Sequence, residues 1–124
     1  MNAPASLRSE RRGEHVVVSL SGELDVFNAA AMTTQIEAAV PPAAHGAVID
    51  LTDVGFLDST AIRRLFALAG RLSERRQRVA VVSPHGSSVL RTLQLVEFGR
   101  AAPMFDTLDD ALAELGPSSH PGPV

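Results

Sequence analysis

The sequence contains no cysteine, no lysine, no tryptophan and no tyrosine. Without cysteine there are no disulfides and no thiolate metal ligands. There is no G-x-x-x-x-G-K loop to cradle a nucleotide. All 11 basic residues are arginine, against 14 acidic ones, for a net charge of −3. A nucleic-acid-binding domain carries a basic stripe. The nearest approach here is Arg71, Arg75, Arg76 and Arg78, which read as a solvated helix end with favourable dipole placement. Direct nucleic-acid binding is not expected. No run approaches 18 apolar residues, so no membrane span is expected. The opening MNAPASLRSERR lacks the apolar core of a signal peptide. The expectation is a soluble cytoplasmic domain, a monomer or weak dimer, with no metal and no cofactor.

Hydrophobic residues make up 45% of the 124 positions, enough for one domain with a real core. The domain is expected over residues 7–116, after a flexible N-terminus (1–6) and before a disordered tail (117–124). Residues 7–11 suit a short edge strand, with a turn at Arg12-Gly13. HVVVSLS (15–21) reads as a strand, its first half β-branched, and Gly22 to Asp25 as strand end and turn. From Asn28 to Val40 the period becomes helical, with Met32, Ile36, Ala39 and Val40 on one face, Asn28 as N-cap and Pro41-Pro42 as the stop.

Residues 47–51 form a short, nearly apolar strand, suited to burial on both faces. Residues 52–57 are expected to be a loop, with Gly55 free to take a positive φ. A helix from Ser59 to about Arg76 follows, then a buried strand, RVAVVS (78–83). Ser87 or Ser88 caps a helix expected to run to Phe98, with Gly99 at its C′ position. A last short strand (102–105) and a helix capped by Thr107 (108–115) complete the chain. Strand and helix alternate three times from Ala47, which implies parallel strands. The fold class is therefore α/β: a small mixed β-sheet, an N-terminal antiparallel hairpin plus parallel strands, packed with about four helices.

The stretch from Ala47 to Leu72 organises the rest. With Ser59 placed at zero on a helical wheel, Ala61, Ile62, Leu65, Phe66, Leu68, Ala69 and Leu72 fall in an arc of about 180° to 340°, toward the sheet. Ser59, Arg63, Ala67 and Gly70 form one row on the opposite face. The small residues at 67 and 70 would let another surface approach closely. Asp58 is the expected N-cap, so Ser59 sits at N1, where free N–H groups and the helix dipole favour a phosphate. Arg63 lies one turn on. A phosphate there adds about −1.5 to −2 charges. The folded domain should tolerate it, and a docked partner should not.

VIDLTDVGFLDSTAIRRLF, preceded by VSLSGELDVFNAAAM and followed by SVLRTLQLVEFGRAAPMFDTLDDAL, resembles the STAS domain, the anti-sigma-factor antagonist family. The likeness runs from about His15 to Leu115. It implies a mixed sheet with helices packed on it and no catalysis. Stand-alone members bind an anti-sigma factor that is also a serine kinase. That kinase phosphorylates the serine after the aspartate of D-S-[ST]-G, and only the unphosphorylated form binds tightly and frees the sigma factor. Carried over, the acceptor is Ser59, with Thr60 as a secondary candidate. The expected partner surface comprises Asp25, Asp58, Ser59, Thr60, Arg63, Arg64, Ala67 and Gly70. Here Ala61 stands where the family has glycine, and Arg63 and Arg64 replace residues that are commonly small or apolar.

Other chemistries fit poorly. A receiver domain built on Asp50 needs a lysine. LDSTA is not a G-x-S-x-G nucleophile elbow. His15, His45, His85 and His120 read as solvated histidines rather than as a base or paired metal ligands. Within the same fold, the alternative role is a constitutive scaffold, as a subunit of a lipid-transport ABC complex or a signalling assembly.

Overall fold

The structure, a computed structural model, describes residues 4–116. The anticipated tail (117–124) and the first three residues of the N-terminal segment lie outside that range. In chain order the elements are β1 (Ser6–Arg12), β2 (His15–Leu24), α1 (Ala29–Ala39), β3 (Gly46–Leu57), α2 (Ser59–Glu74), β4 (Arg78–Val82), α3 (Ser88–Leu95), a single 3₁₀ turn (Phe98–Arg100), β5 (Met104–Phe105) and α4 (Leu108–Leu115). The strands form one five-stranded sheet in the order β1-β2-β3-β4-β5. The β1–β2 pair is antiparallel and the remaining pairs are parallel. This is the mixed sheet with four helices that the alternation of patterns predicted.

The helices divide unequally between the two faces. Val16, Val18 and Leu20 of β2 point to one face, where they pack with buried residues of α1, α2 and α3. Val17, Val48, Ala80 and Val82 point to the other and pack with Ala111 and Leu115 of α4. Phe98 is buried and meets Phe66 edge-to-face, with centroids 4.7 Å apart. The parallel strands all end at one pole of the sheet, so the loops that open α1, α2, α3 and α4 gather there.

The largest departure from the sequence reading is the segment 52–57, which is strand and not loop. β3 runs on to Leu57, paired with Ser21 to Leu24. Ser19 pairs with Asp50 but Ser21 with Asp53, and Gly22 pairs with Val54 but Glu23 with Phe56, so β3 holds one extra residue at each of two bulges. The buried side chains there become Leu51, Val54 and Leu57, at a spacing of three. That spacing hides the period of two by which strands are recognised. Asp50 supports the first bulge, its Oδ1 accepting from Thr52 N–H at 2.9 Å and from Thr52 Oγ1 at 2.6 Å. Gly55 accordingly does not take a positive φ.

Smaller differences follow from local chemistry. α3 ends at Leu95, not Phe98, because Glu97 adopts a left-handed φ of 59° and turns the chain into the 3₁₀ segment, where Gly99 lies with an ordinary φ. Asn28 occupies the N-cap position of α1 without capping it. Its side chain instead accepts from Asp25 N–H and donates to the Glu23 carbonyl, tying the preceding turn. Ser87, rather than Ser88, caps α3, and Thr107 caps α4 as expected.

His15 is not solvated. It is 5% exposed, and its Nε2–H donates to the Gly116 carbonyl at 2.8 Å. It opens β2 on the face that α4 covers, so the end of α4 closes over it.

Candidate functional site

Asp58 builds the pole of the sheet. One carboxylate oxygen, Oδ1, accepts from Ala61 N–H at 2.8 Å and caps α2. The other, Oδ2, accepts from Val26 N–H at 2.8 Å, in the loop that follows β2. The Asp58 N–H donates to the Leu24 carbonyl at 3.2 Å. One side chain thus joins the two sequence segments, GELD and DST, that lie 33 positions apart by the numbering of Asp25 and Asp58. Asp25 organises its own side of the junction. Its Oδ1 accepts from Phe27 N–H at 2.9 Å, and its carbonyl accepts from Asn28 and Ala29.

Ser59 is the first residue of α2 and is exposed. Its hydroxyl has no hydrogen-bond partner among the described residues. The Asp58 side chain and carbonyl engage Ala61 and Ile62 N–H, which leaves the amides of Ser59 and Thr60 open at the helix mouth. Thr60 is half-buried. Arg63 and Arg64 are exposed, one turn along. The helical projection holds in outline: Ser59, Arg63, Ala67 and Gly70 are exposed, Ala61, Leu65, Leu68, Ala69 and Leu72 are buried, and Ile62 and Phe66 of the projected core arc are half-buried. The exposed row runs about 16 Å from Ser59 to Gly70 at 1.5 Å per residue. Asp25, Asp58, Ser59 and Thr60 are brought together at the pole. Arg63 and Arg64 flank it, and Ala67 and Gly70 lie down the side of α2.

Ala61 is 1% exposed and packs in the core below its own N–H···Asp58 bond. The methyl group therefore points away from the surface and is compatible with the cap. We expect Ala61→Gly to lower stability by about 1 kcal/mol, from lost helix propensity and burial, with no change in partner affinity. Denaturant unfolding of the two proteins checks this.

Three residues at the pole escaped the sequence reading. Phe27 is 94% exposed, Val26 57% and Phe56 48%. Phe27 and Val26 belong to the loop that Asp58 holds, and Phe56 sits one residue before Leu57 at the end of β3. Large apolar side chains at such exposure, fixed by backbone bonds and adjacent to a free serine, form a surface suited to contact with another protein. The available signal was V-F in a tight turn between a strand and a helix, where neither residue can reach the core.

Fold and pole together describe a small α/β domain that presents a capped helix mouth beside fixed apolar side chains. The STAS domain family model matches residues 6–111, and the chain belongs to that family. It is 32% identical over 115 residues to the anti-sigma-F factor antagonist RsfB of Mycobacterium tuberculosis, covering 90% of this chain and 92% of that protein. Among solved structures, an anti-sigma factor antagonist from Mycobacterium paratuberculosis superposes with a TM-score of 0.80 at 32% identity, over 92% of this chain and 97% of the other. The Bacillus cell fate determinant SpoIIAA, solved in its phosphorylated form, shares the fold with a TM-score of 0.65 at 21% identity, over 89% of this chain and 99% of that one. Among the described residues no helix is long and apolar enough to cross a membrane.

Proposed function

We propose that this protein is a non-catalytic partner switch of the cytoplasm, an anti-sigma factor antagonist. In its unmodified form it binds an anti-sigma factor that is also a serine kinase, and so releases a sigma factor. Phosphorylation of Ser59 by that kinase ends the binding. Thr60 is the secondary acceptor. The observation that carries the reading is the state of Ser59: exposed, unbonded among the described residues, and set at a helix mouth whose cap is already complete without it. A phosphate there meets two open amides and the nearby Arg63, so the fold survives modification. The names of the two relatives at 32% identity support the antagonist role.

The docking surface in this reading is Asp25, Asp58, Ser59, Thr60, Arg63, Arg64, Ala67 and Gly70, extended by Val26, Phe27 and Phe56. Phe27→Ala is expected to weaken partner binding about tenfold or more, as for an anchoring aromatic, while leaving the melting temperature unchanged because the ring packs against little of its own fold. Calorimetric titration and a thermal melt of the same variant separate the two effects.

The test of the acceptor is incubation with ATP and the cognate anti-sigma kinase, followed by intact-mass and peptide mapping. One phosphate on Ser59, absent from Ser59→Ala, is the expected result. Binding of the partner with no transfer to Ser59, unaltered by Ser59→Asp, would instead make the domain a constitutive scaffold.

A further inference from the structure

The outer edge of β1 is a second surface open to contact. β1 is the end strand of the sheet, and among the described residues nothing pairs with its far side. Six of its seven residues are exposed. The hairpin turns through Gly13-Glu14, with Gly13 at φ +65°, and closes on the Arg12–His15 pair. In a two-residue hairpin that closing pair is hydrogen-bonded, and bonded and unbonded pairs then alternate. Arg12, Glu10, Arg8 and Ser6 therefore turn their backbone groups toward β2. Arg11, Ser9 and Leu7 turn theirs outward.

We propose that β1 pairs with β1 of a second copy, antiparallel and centred on Ser9, to form a two-fold dimer with a continuous sheet. Charges on an edge strand normally prevent such pairing. Here they favour one register. Centring on Ser9 sets Arg8 of each copy opposite Glu10 of the other, twice by symmetry, and no like charges face each other. A shift of one residue in either direction sets Arg8 against Arg8 or Glu10 against Glu10, and centring on Arg11 sets Arg11 against Arg11. Ser9 is also one of the outward-facing residues, so the central pair has the bonded geometry. Glu10 already holds Arg12 of its own strand at 2.6 Å, whereas Arg8 has no ion-pair partner among the described residues.

The neighbouring helix is compatible with the same contact. α1 packs over β1 and β2. Its Glu37 is held on the α2 side by Arg71 at 2.9 Å. Its exposed positions, among them Ala31, Gln35 and Ala38, carry no charge. α1 therefore sets no exposed charge of its own against the pairing. Because the strands pair antiparallel about a two-fold axis, the two Ser59 poles lie at opposite ends of the dimer, and both stay open.

The test is sedimentation velocity of the full chain over a concentration series. Wild type shows a reversible monomer–dimer equilibrium. Arg8→Glu and Glu10→Arg each raise the dimer dissociation constant about tenfold or more, because opposite charges become like charges twice per dimer. The double variant R8E/E10R restores it to within about threefold. Ser9→Pro, which removes an outward N–H and leaves the β2 pairing intact, abolishes the dimer with an unchanged circular dichroism spectrum. A wild-type chain that stays monomeric into the millimolar range overturns the proposal. So does a dimer indifferent to both single charge changes, or one that the double variant fails to restore.

Discussion

Ser59→Asp is expected to weaken binding of the anti-sigma partner about 100-fold or more, close to 3 kcal/mol, while Ser59→Ala retains it. The asymmetry follows from position. At N1 of α2 a carboxylate meets the positive end of the helix, so the variant should gain about 0.3–1 kcal/mol of stability or be neutral. The loss therefore cannot come from unfolding. It comes from placing a second anion next to Asp58, between the exposed Val26 and Phe27 on one side and the small-residue row of α2 on the other. A docked partner has to strip water from that anion, and a negative group without a matching donor across the interface is costly to bury. Alanine removes a hydroxyl that has no bond within the described fold, and so leaves both fold and surface intact. Affinities for the three proteins by calorimetric titration, with melting curves beside them, check each part. Loss of partner by Ser59→Ala as well would make the hydroxyl a direct contact.

Asp58→Ala is the second large effect, and it falls on stability first. The change removes the α2 cap, at about 0.5–2 kcal/mol. It also removes the charged acceptor for Val26 N–H, at about 1–2 kcal/mol for a partly exposed bond. Together these approach 3 kcal/mol, which for a domain of this size lowers the melting temperature by about 10 °C or more. Partner affinity falls too, because the loop bearing Phe27 loses its tie to α2. Asp58→Asn keeps one acceptor oxygen and forfeits the other, so about half the loss is expected. Thermal denaturation of both variants provides the comparison. A melting temperature unchanged by Asp58→Ala would mean that the two bonds of 2.8 Å contribute nothing net.

Most of the fold was legible because its elements follow their periods. The α2 face is legible because helical spacing and burial agree along it, with only Ile62 and Phe66 at its margin half-buried. The caps at Asp58, Ser87 and Thr107 were readable from residue type and offset. The C-terminal half of β3 was not, because two bulges turn a period of two into a spacing of three. Bulges are set by pairing with another strand, and a single strand's sequence does not display its partner. The end of α3 was missed for a related reason. Glu97 adopts a left-handed conformation that its side chain does not announce, and Gly99 close by offered a more conventional stop.

The site was legible in its chemistry and not in its assembly. Asp58, Ser59 and Thr60 stood out as a capped helix start, and family resemblance brought Asp25 alongside. That Asp58 holds both segments with its two oxygens depends on β2 and β3 lying side by side in parallel, with Leu24 opposite Leu57. The exposure of the Phe27 ring is visible only with the loop around it fixed. His15 was misjudged because nothing local to it indicates that α4, a hundred residues later, ends against its ring.

In this mechanism one serine governs partner binding while leaving the domain folded. The most direct measurement titrates the anti-sigma factor with the chain in two states, unmodified and enzymatically phosphorylated on Ser59, at the same ionic strength. Tight binding by the unmodified chain, a fall of about 100-fold or more on phosphorylation, and superimposable circular dichroism spectra are expected. Equal affinity in the two states would contradict this mechanism.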